Sequence, residues 1–264
     1  GNGVNPVITA APGTGVADYI LCISGTSNIT FDGITVMENP SNISPDLQME
    51  WGFAILKASA TQGSQNVVIQ NCTINLDKSN YGSAGIYMDN VTIAEPATQL
   101  TVTAFSGTNS GNKFYNNTLS NVNRGIYISG YADENSSYAF YDQNNDIGSL
   151  GGNQVTNFGG GNMGVYGIYA AYQNALIIAN STINGGTGTT GPLYGIYGGT
   201  ANKSNVNIYG NAITLSSSGT TAGLYGIYNA GLGNGGTTNT LNFYNNSVLN
   251  CSYNTATAIT FYGI

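Results

Sequence analysis

The chain has 264 residues, including 38 Gly and 19 Tyr, but only 5 Lys+Arg, 12 Asp+Glu and no His, for a formal net charge of −7. Charged side chains are 6% of the total, where a soluble domain carries about 25%, so a basic nucleic-acid footprint is excluded. Apolar residues are 41% and evenly spread, with no run of about 18 that would span a membrane.

At the N-terminus, Gly1 to Pro6 show neither an initiator Met nor the basic and apolar regions of a signal peptide, which reads as a mature or excised chain. Strand-like stretches at 7–10 and 18–23 follow without a capping amphipathic helix, the pattern of a solenoid cut on its N-terminal side. Cys22, Cys72 and Cys251 are odd in number and widely spaced, which argues against a disulfide framework or a zinc site and for small core fillers.

From residue 29 onward an eight-residue unit recurs, at 29–36, 67–74, 112–119, 176–183, 206–213 and 241–248, with a weaker copy at 148–155. Positions 1 and 3 are mostly apolar with exchangeable residues between, the period of a strand with one buried face. Position 5 is Gly33, Asn71, Asn116, Gly152, Asn180, Gly210 and Asn245. Gly and Asn enter the left-handed backbone region at least steric cost, so the chain is expected to bend there in every copy. Position 8 is always Val, Ile or Leu, so position 6 also points inward; it holds Asn117, Asn153, Asn211 and Asn246 among others, a buried amide ladder in which each side chain bonds to the next. A second unit, of Gly-Ile-Tyr type, precedes most copies: 51–54, 84–87, 124–127, 166–169, 194–197 and 225–228, with a variant at 257–260. Its Ile86, Ile126, Ile168, Ile196 and Ile227 would form an inward column, and Tyr87, Tyr127, Tyr169, Tyr197 and Tyr228 an outward line. Tyr115, Tyr209 and Tyr244 give a partial second line.

The eight-residue units start 38, 45, 36, 28, 30 and 35 residues apart, so the rungs keep their pattern while the connections absorb length. Two units make one turn of three short strands, and turns stack about 4.8 Å apart. The expected fold is all-β: a right-handed parallel β-helix of about seven or eight turns, a single domain that is a segment of a longer solenoid. On these residues the chain resembles the right-handed parallel β-helix repeat proteins, especially the Asn, Gly, Thr and Tyr-rich repeats of large secreted surface proteins of the Bacteroidota. The resemblance implies the fold for about residues 16 to 264 and leaves function open, since the scaffold carries lyases, hydrolases, tailspikes and inert stalks.

Three longer connections, 37–50, 89–111 and 129–146, hold nine of the twelve acidic residues, and the second and third are expected to emerge side by side. Asp133 and Glu134 with Asp142 or Asp89 are the candidates for glycan hydrolysis, which needs carboxylates within roughly 5 to 10 Å of each other. Carboxylates on a loop are poorly preorganised, and the leading reading is that they are solvated. Calcium held by Asp133, Glu134, Asp142 and Asp146 is a further expectation, since hard cations want clustered oxygens. The resemblance associates polysaccharide hydrolases with acid clusters beside a His-bearing segment and a basic pair, and lyases with a basic proton abstractor beside acidic calcium ligands; with no His and a single Arg, neither pattern carries over to this chain. Arg124, the only Arg, is expected to pair with a carboxylate of the acidic loops. Ten Asn-X-Ser/Thr sequons, including Asn28 and Asn42, reflect the Asn-rich composition better than glycosylation.

Together the residues point to a non-enzymatic extracellular or cell-surface element, structural or adhesive, with no catalytic residues and no cofactor. Its expected partners are other segments of the same polypeptide, further copies of itself, or extracellular glycans. A carbohydrate-binding or polysaccharide-degrading module using the acidic loops and outward tyrosines is the alternative, and a filament-forming subunit the third reading.

Overall fold

In the computed structural model, which describes residues 5–15, 17–135, 137–235, 239–255 and 260–264, each eight-residue unit forms two short strands that meet at a corner. Val206–Tyr209 and Ala212–Ser217 flank the corner at Gly210. The preceding strand, Leu193–Gly198, pairs in parallel with the one that follows, Leu224–Asn229, so that Tyr194 lies beside Tyr225 and Ile196 beside Ile227. One circuit of three strands thus returns the chain to the sheet it left. Repetition builds three parallel sheets: a nine-stranded sheet from the second half of each unit, an eight-stranded sheet from the Gly-Ile-Tyr segments and a seven-stranded sheet from the first half. We call these the exit, tyrosine and entry sheets. A two-stranded piece, Asp142–Gln143 with Gln173–Asn174, lies between tyrosine and entry sheets. No helix of the described residues is long and apolar enough to cross a membrane.

Like residues stack because the register is like on like. Ile86, Ile126, Ile168 and Ile196 are fully buried and lie opposite one another in successive strands. Files from the entry sheet (Ile69, Phe114, Ile147, Ile178, Ile208) and the exit sheet (Ile74, Leu119, Val155, Ile183, Ile213) meet them in one apolar cluster. Full burial of each such side chain is worth about 1.5–3 kcal/mol, which lets a chain of short strands hold together. The three cysteines are free: Cys72 is buried and Cys22 and Cys251 are half-buried.

The bends fall where the Gly and Asn spacing puts them. Gly33 (φ 67°), Asn71 (54°), Asn116 (52°), Asn180 (52°), Gly210 (67°) and Asn245 (54°) are all left-handed. Gly152 is not: its φ is not positive, because Gly148 (φ 93°) takes the bend in that turn. The strand there starts earlier than the repeat suggests, with Asp146 and Ile147 opposite Ile177 and Ile178, and the extra residues loop out. Gly152 is instead required by contact, since a Cβ there would lie 1.7 Å from the Asn180 carbonyl oxygen. A further set of left-handed corners, unforeseen in the repeat, precedes the entry strands at Asn28, Asn66, Gly111, Asn144 and Ala175.

The amide ladder lies just inside the corner. Asn117 Oδ1 accepts the Cys72 N–H at 3.0 Å, Asn153 Oδ1 accepts the Asn117 N–H at 3.1 Å, and Asn246 Oδ1 accepts the Asn211 N–H at 3.1 Å. Each amide also donates backward, Asn117 to Ile69 O, Asn153 to Phe114 O, Asn211 to Ile178 O and Asn246 to Ile208 O, at 2.8–3.0 Å. Ser181 fills the one rung between Asn153 and Asn211, its hydroxyl accepting the Asn153 N–H at 3.2 Å and its N–H reaching Asn211 Oδ1 at 3.0 Å. A second buried ladder, at the corner between tyrosine and entry sheets, links Ser64 to Asn109 to Asp142, and Asn112 to Asn145 to Gln173.

The final rung corrects the repeat. The variant at 257–260 rests on 257–259, which lie outside the described residues, and the strand that continues the tyrosine sheet is Phe261–Tyr262, with Leu224 opposite Phe261 and Tyr225 opposite Tyr262. The Tyr-Gly-Ile of 262–264 is therefore the next copy of the motif.

Candidate ligand-binding face

The tyrosine sheet presents two aromatic rows on its outer side, where alternation alone gives one. In Tyr-Gly-Ile-Tyr the strand pairing runs through the residues on either side of the glycine. The glycine itself is wedged inward: a Cβ on Gly195 would stand 2.5 Å from the Gly226 carbonyl oxygen and 2.6 Å from Ile213 Cγ2. That kink puts both flanking tyrosines on the same face, as shown by ring contacts of Tyr166 with Tyr169 (5.1 Å), Tyr194 with Tyr197 (4.9 Å) and Tyr225 with Tyr228 (4.9 Å).

One row runs Trp51, Tyr87, Tyr127, Tyr169, Tyr197, Tyr228, with successive centroids 4.1, 5.3, 4.5, 5.3 and 5.4 Å apart. The other runs Tyr166, Tyr194, Tyr225, Tyr262 at 5.2, 4.7 and 5.1 Å. At these spacings each ring covers its neighbour's face, so within the rows it is the edges and hydroxyls that remain to contact anything else. Tyr228 and Tyr262, at the far end, are exposed. At the near end Tyr87 points outward but is 9% exposed; with Trp51, Leu56 and Val91 it forms a separate apolar cluster at the foot of the 89–111 connection. Its hydroxyl donates to Asp89 Oδ2 at 2.6 Å. Burial pushes the phenols up: Tyr127 to about 12, with Tyr166, Tyr169, Tyr194, Tyr197 and Tyr225 also raised. In the partial second line, Tyr209 stacks on Tyr244 at 4.9 Å, while Tyr115 donates to Asp146 Oδ2 at 2.8 Å.

Beside the near end lies a groove of about 240 Å³ lined by Ala17, Glu50, Trp51, Tyr87, Pro96 and Arg124 among others. Arg124 does not pair with a carboxylate among the described residues, contrary to expectation. It stands in the file that becomes Tyr166 and Tyr194 in later turns, and its guanidinium carbon lies 5.6 Å from the Tyr127 ring centroid. The guanidinium thus lies against the tyrosine row instead of on a carboxylate of the acidic loops. Its Nε is buried without a hydrogen-bond partner. Glu50, nearly buried, accepts from the Asp18 N–H at 2.9 Å and from Asn80 Nδ2 at 2.8 Å, and burial raises its pKa.

The acidic connections organise themselves. Glu38 accepts from the Asn39 and Met49 N–H groups and from Asn42 Nδ2 at 2.6–2.9 Å. Asp133 accepts the Asn135 and Phe140 N–H groups, both at 3.0 Å; Glu134 beside it is exposed, and both line a hollow of about 290 Å³ with Tyr138, Tyr141 and Tyr172. Asp142 turns inward to Lys57, and Asp146 takes Tyr115 and Ser149. The four carboxylates expected to share calcium thus face different partners, and no group of three or more His, Cys, Asp or Glu among the described residues is disposed to hold a metal ion. The second and third connections do emerge side by side, joined by Asn109 N–H to Asp142 Oδ1 and Gly111 N–H to Gln143 O at 2.8 Å each.

Compared with protein-family models, curated proteins and solved structures, the chain finds no match.

Proposed function

We propose that the chain is a right-handed parallel β-helix that serves as a non-enzymatic structural or adhesive stretch of a secreted or cell-surface protein, of the kind its repeats resemble. The observation that carries this reading is where the acidic side chains are spent. Glu38, Asp133 and Asp146 each tie down their own loop, and Asp142 faces a lysine inside the coil. Glycan hydrolysis asks for an opposed pair of carboxylates around a cleft, and such loop-tied groups serve shape instead. Further turns of the same polypeptide or second copies are its natural partners. Incubated with a panel of polysaccharides, the purified chain should release no reducing ends and no unsaturated sugars. Release that disappears in Asp133→Ala or Glu134→Ala would make it an enzyme and overturn the reading.

A glycan-binding role is the second reading, favoured by the groove that joins an aromatic wall to Arg124 and Glu50. Aromatic surface combined with a few fixed polar groups is the usual make-up of a sugar site. Binding on a glycan array that is lost in Arg124→Ala would select it.

A further inference from the structure

Lys57 and Asp142 are charges that the fold places out of reach of water. Neither side chain has any solvent exposure, and Lys57 Nζ stands 3.4 Å from Asp142 Oδ1. They belong to different turns, Lys57 following the strand Trp51–Leu56 and Asp142 opening Asp142–Gln143. Between them runs the 89–111 connection: Lys57 Nζ donates to Gly107 O at 2.8 Å and Asp142 Oδ1 accepts the Asn109 N–H at 2.8 Å. Asp142 Oδ2 is buried with no hydrogen-bond partner.

As an ion pair this arrangement is poor. Each buried charge carries a desolvation penalty that a single long contact does not return, and the orphaned oxygen adds the cost of an unmet hydrogen bond. A different covalent state removes every one of these costs. We propose that Lys57 and Asp142 condense into an intramolecular isopeptide bond, an amide that locks the two turns together.

The step balances without any outside reagent. A proton passes from the ammonium to the carboxylate, leaving a neutral amine and a carboxylic acid. The amine nitrogen attacks Asp142 Cγ, and the tetrahedral adduct expels Oδ2 as water, whose second hydrogen comes from the nitrogen. A C–N bond forms, a C–O bond breaks, and nothing is oxidised or reduced. Burial favours the neutral reactants, pushing the Lys57 amine down and the Asp142 carboxyl up. Fixed juxtaposition provides the effective concentration, up to about 10⁵–10⁸ M for well-oriented groups. In the product the amide N–H keeps Gly107 O, the carbonyl keeps the Asn109 N–H, and the oxygen that leaves is the one without a partner.

The test is the intact mass of the full chain under denaturing conditions. It should be lighter than the sequence by one water, and proteolysis should yield a single branched peptide carrying both Lys57 and Asp142. Lys57→Arg and Asp142→Ala should each return the full sequence mass, whereas Asp142→Asn should give the same branched product as wild type by losing ammonia. A wild-type mass equal to the sequence overturns the proposal. So does a lost water that persists in Lys57→Arg, which would place the dehydration elsewhere.

Discussion

Asparagine does two different jobs at adjacent positions of this chain. Asn245 is a corner, kept for its left-handed backbone, and the next residue, Asn246, is a rung, kept for its amide. The two roles respond to different substitutions. Asn245→Gly preserves the bend and should change stability by no more than about 0.5 kcal/mol. Asn211→Leu removes the acceptor of the Ser181 N–H and a donor to the Ile178 carbonyl inside the coil, and should cost roughly 2–4 kcal/mol. Denaturant midpoints of the two variants measure this directly. Equal losses would mean that the amide file does not bear on stability.

At the scale of the strand, the tyrosine rows are as much packing as surface, and their titration should show it. Free tyrosine ionises near pH 10, while burial holds Tyr127 up at about 12 and raises its stacked neighbours. A phenol whose folded pKa is raised stabilises the fold fully below its unfolded value, and that contribution is lost as pH climbs through the folded one. Stability should therefore stay level up to about pH 10 and fall between there and about pH 12. The phenolate ultraviolet band should appear in the same window, late and together with unfolding. A rise completed near pH 10 with the fold intact would show that the rings are free in solvent. The inward isoleucine file and the outward line from Tyr87 to Tyr228 were legible from alternation alone. The second row was not, because a glycine that interrupts strand pairing is indistinguishable in sequence from one that continues it. The ladder through Ser64, Asn109 and Asp142 was equally hidden: its members sit 45 and then 33 residues apart in connections of changing length, so no fixed period reveals them. In the turn after Asn117 the extra residues moved the bend from Gly152 to Gly148, a shift that eight-residue bookkeeping has no means to register.

Across the whole molecule, regularity and irregularity divide the work. From Leu176 to Ile227 the coil carries a single charged side chain, Lys203, and is held by stacked files of like residues. The long connections with most of the charge cluster on the earlier turns, where Lys57, Asp89 and Asp142 bind them to the coil. Among the described residues the strands of the three main sheets pair with those of the turns before and after, so each added turn is stabilised mainly by its neighbour. The central claim is that these turns are parallel, with asparagine corners recurring at the ends of short strands. A crystal structure of the chain tests it most directly. It should show positive φ at Asn71, Asn116, Asn180 and Asn245, with Asn246 Oδ1 accepting the Asn211 N–H from the adjoining turn. Antiparallel hairpins closed into a two-sheet sandwich, with those four residues in ordinary extended backbone, would contradict it.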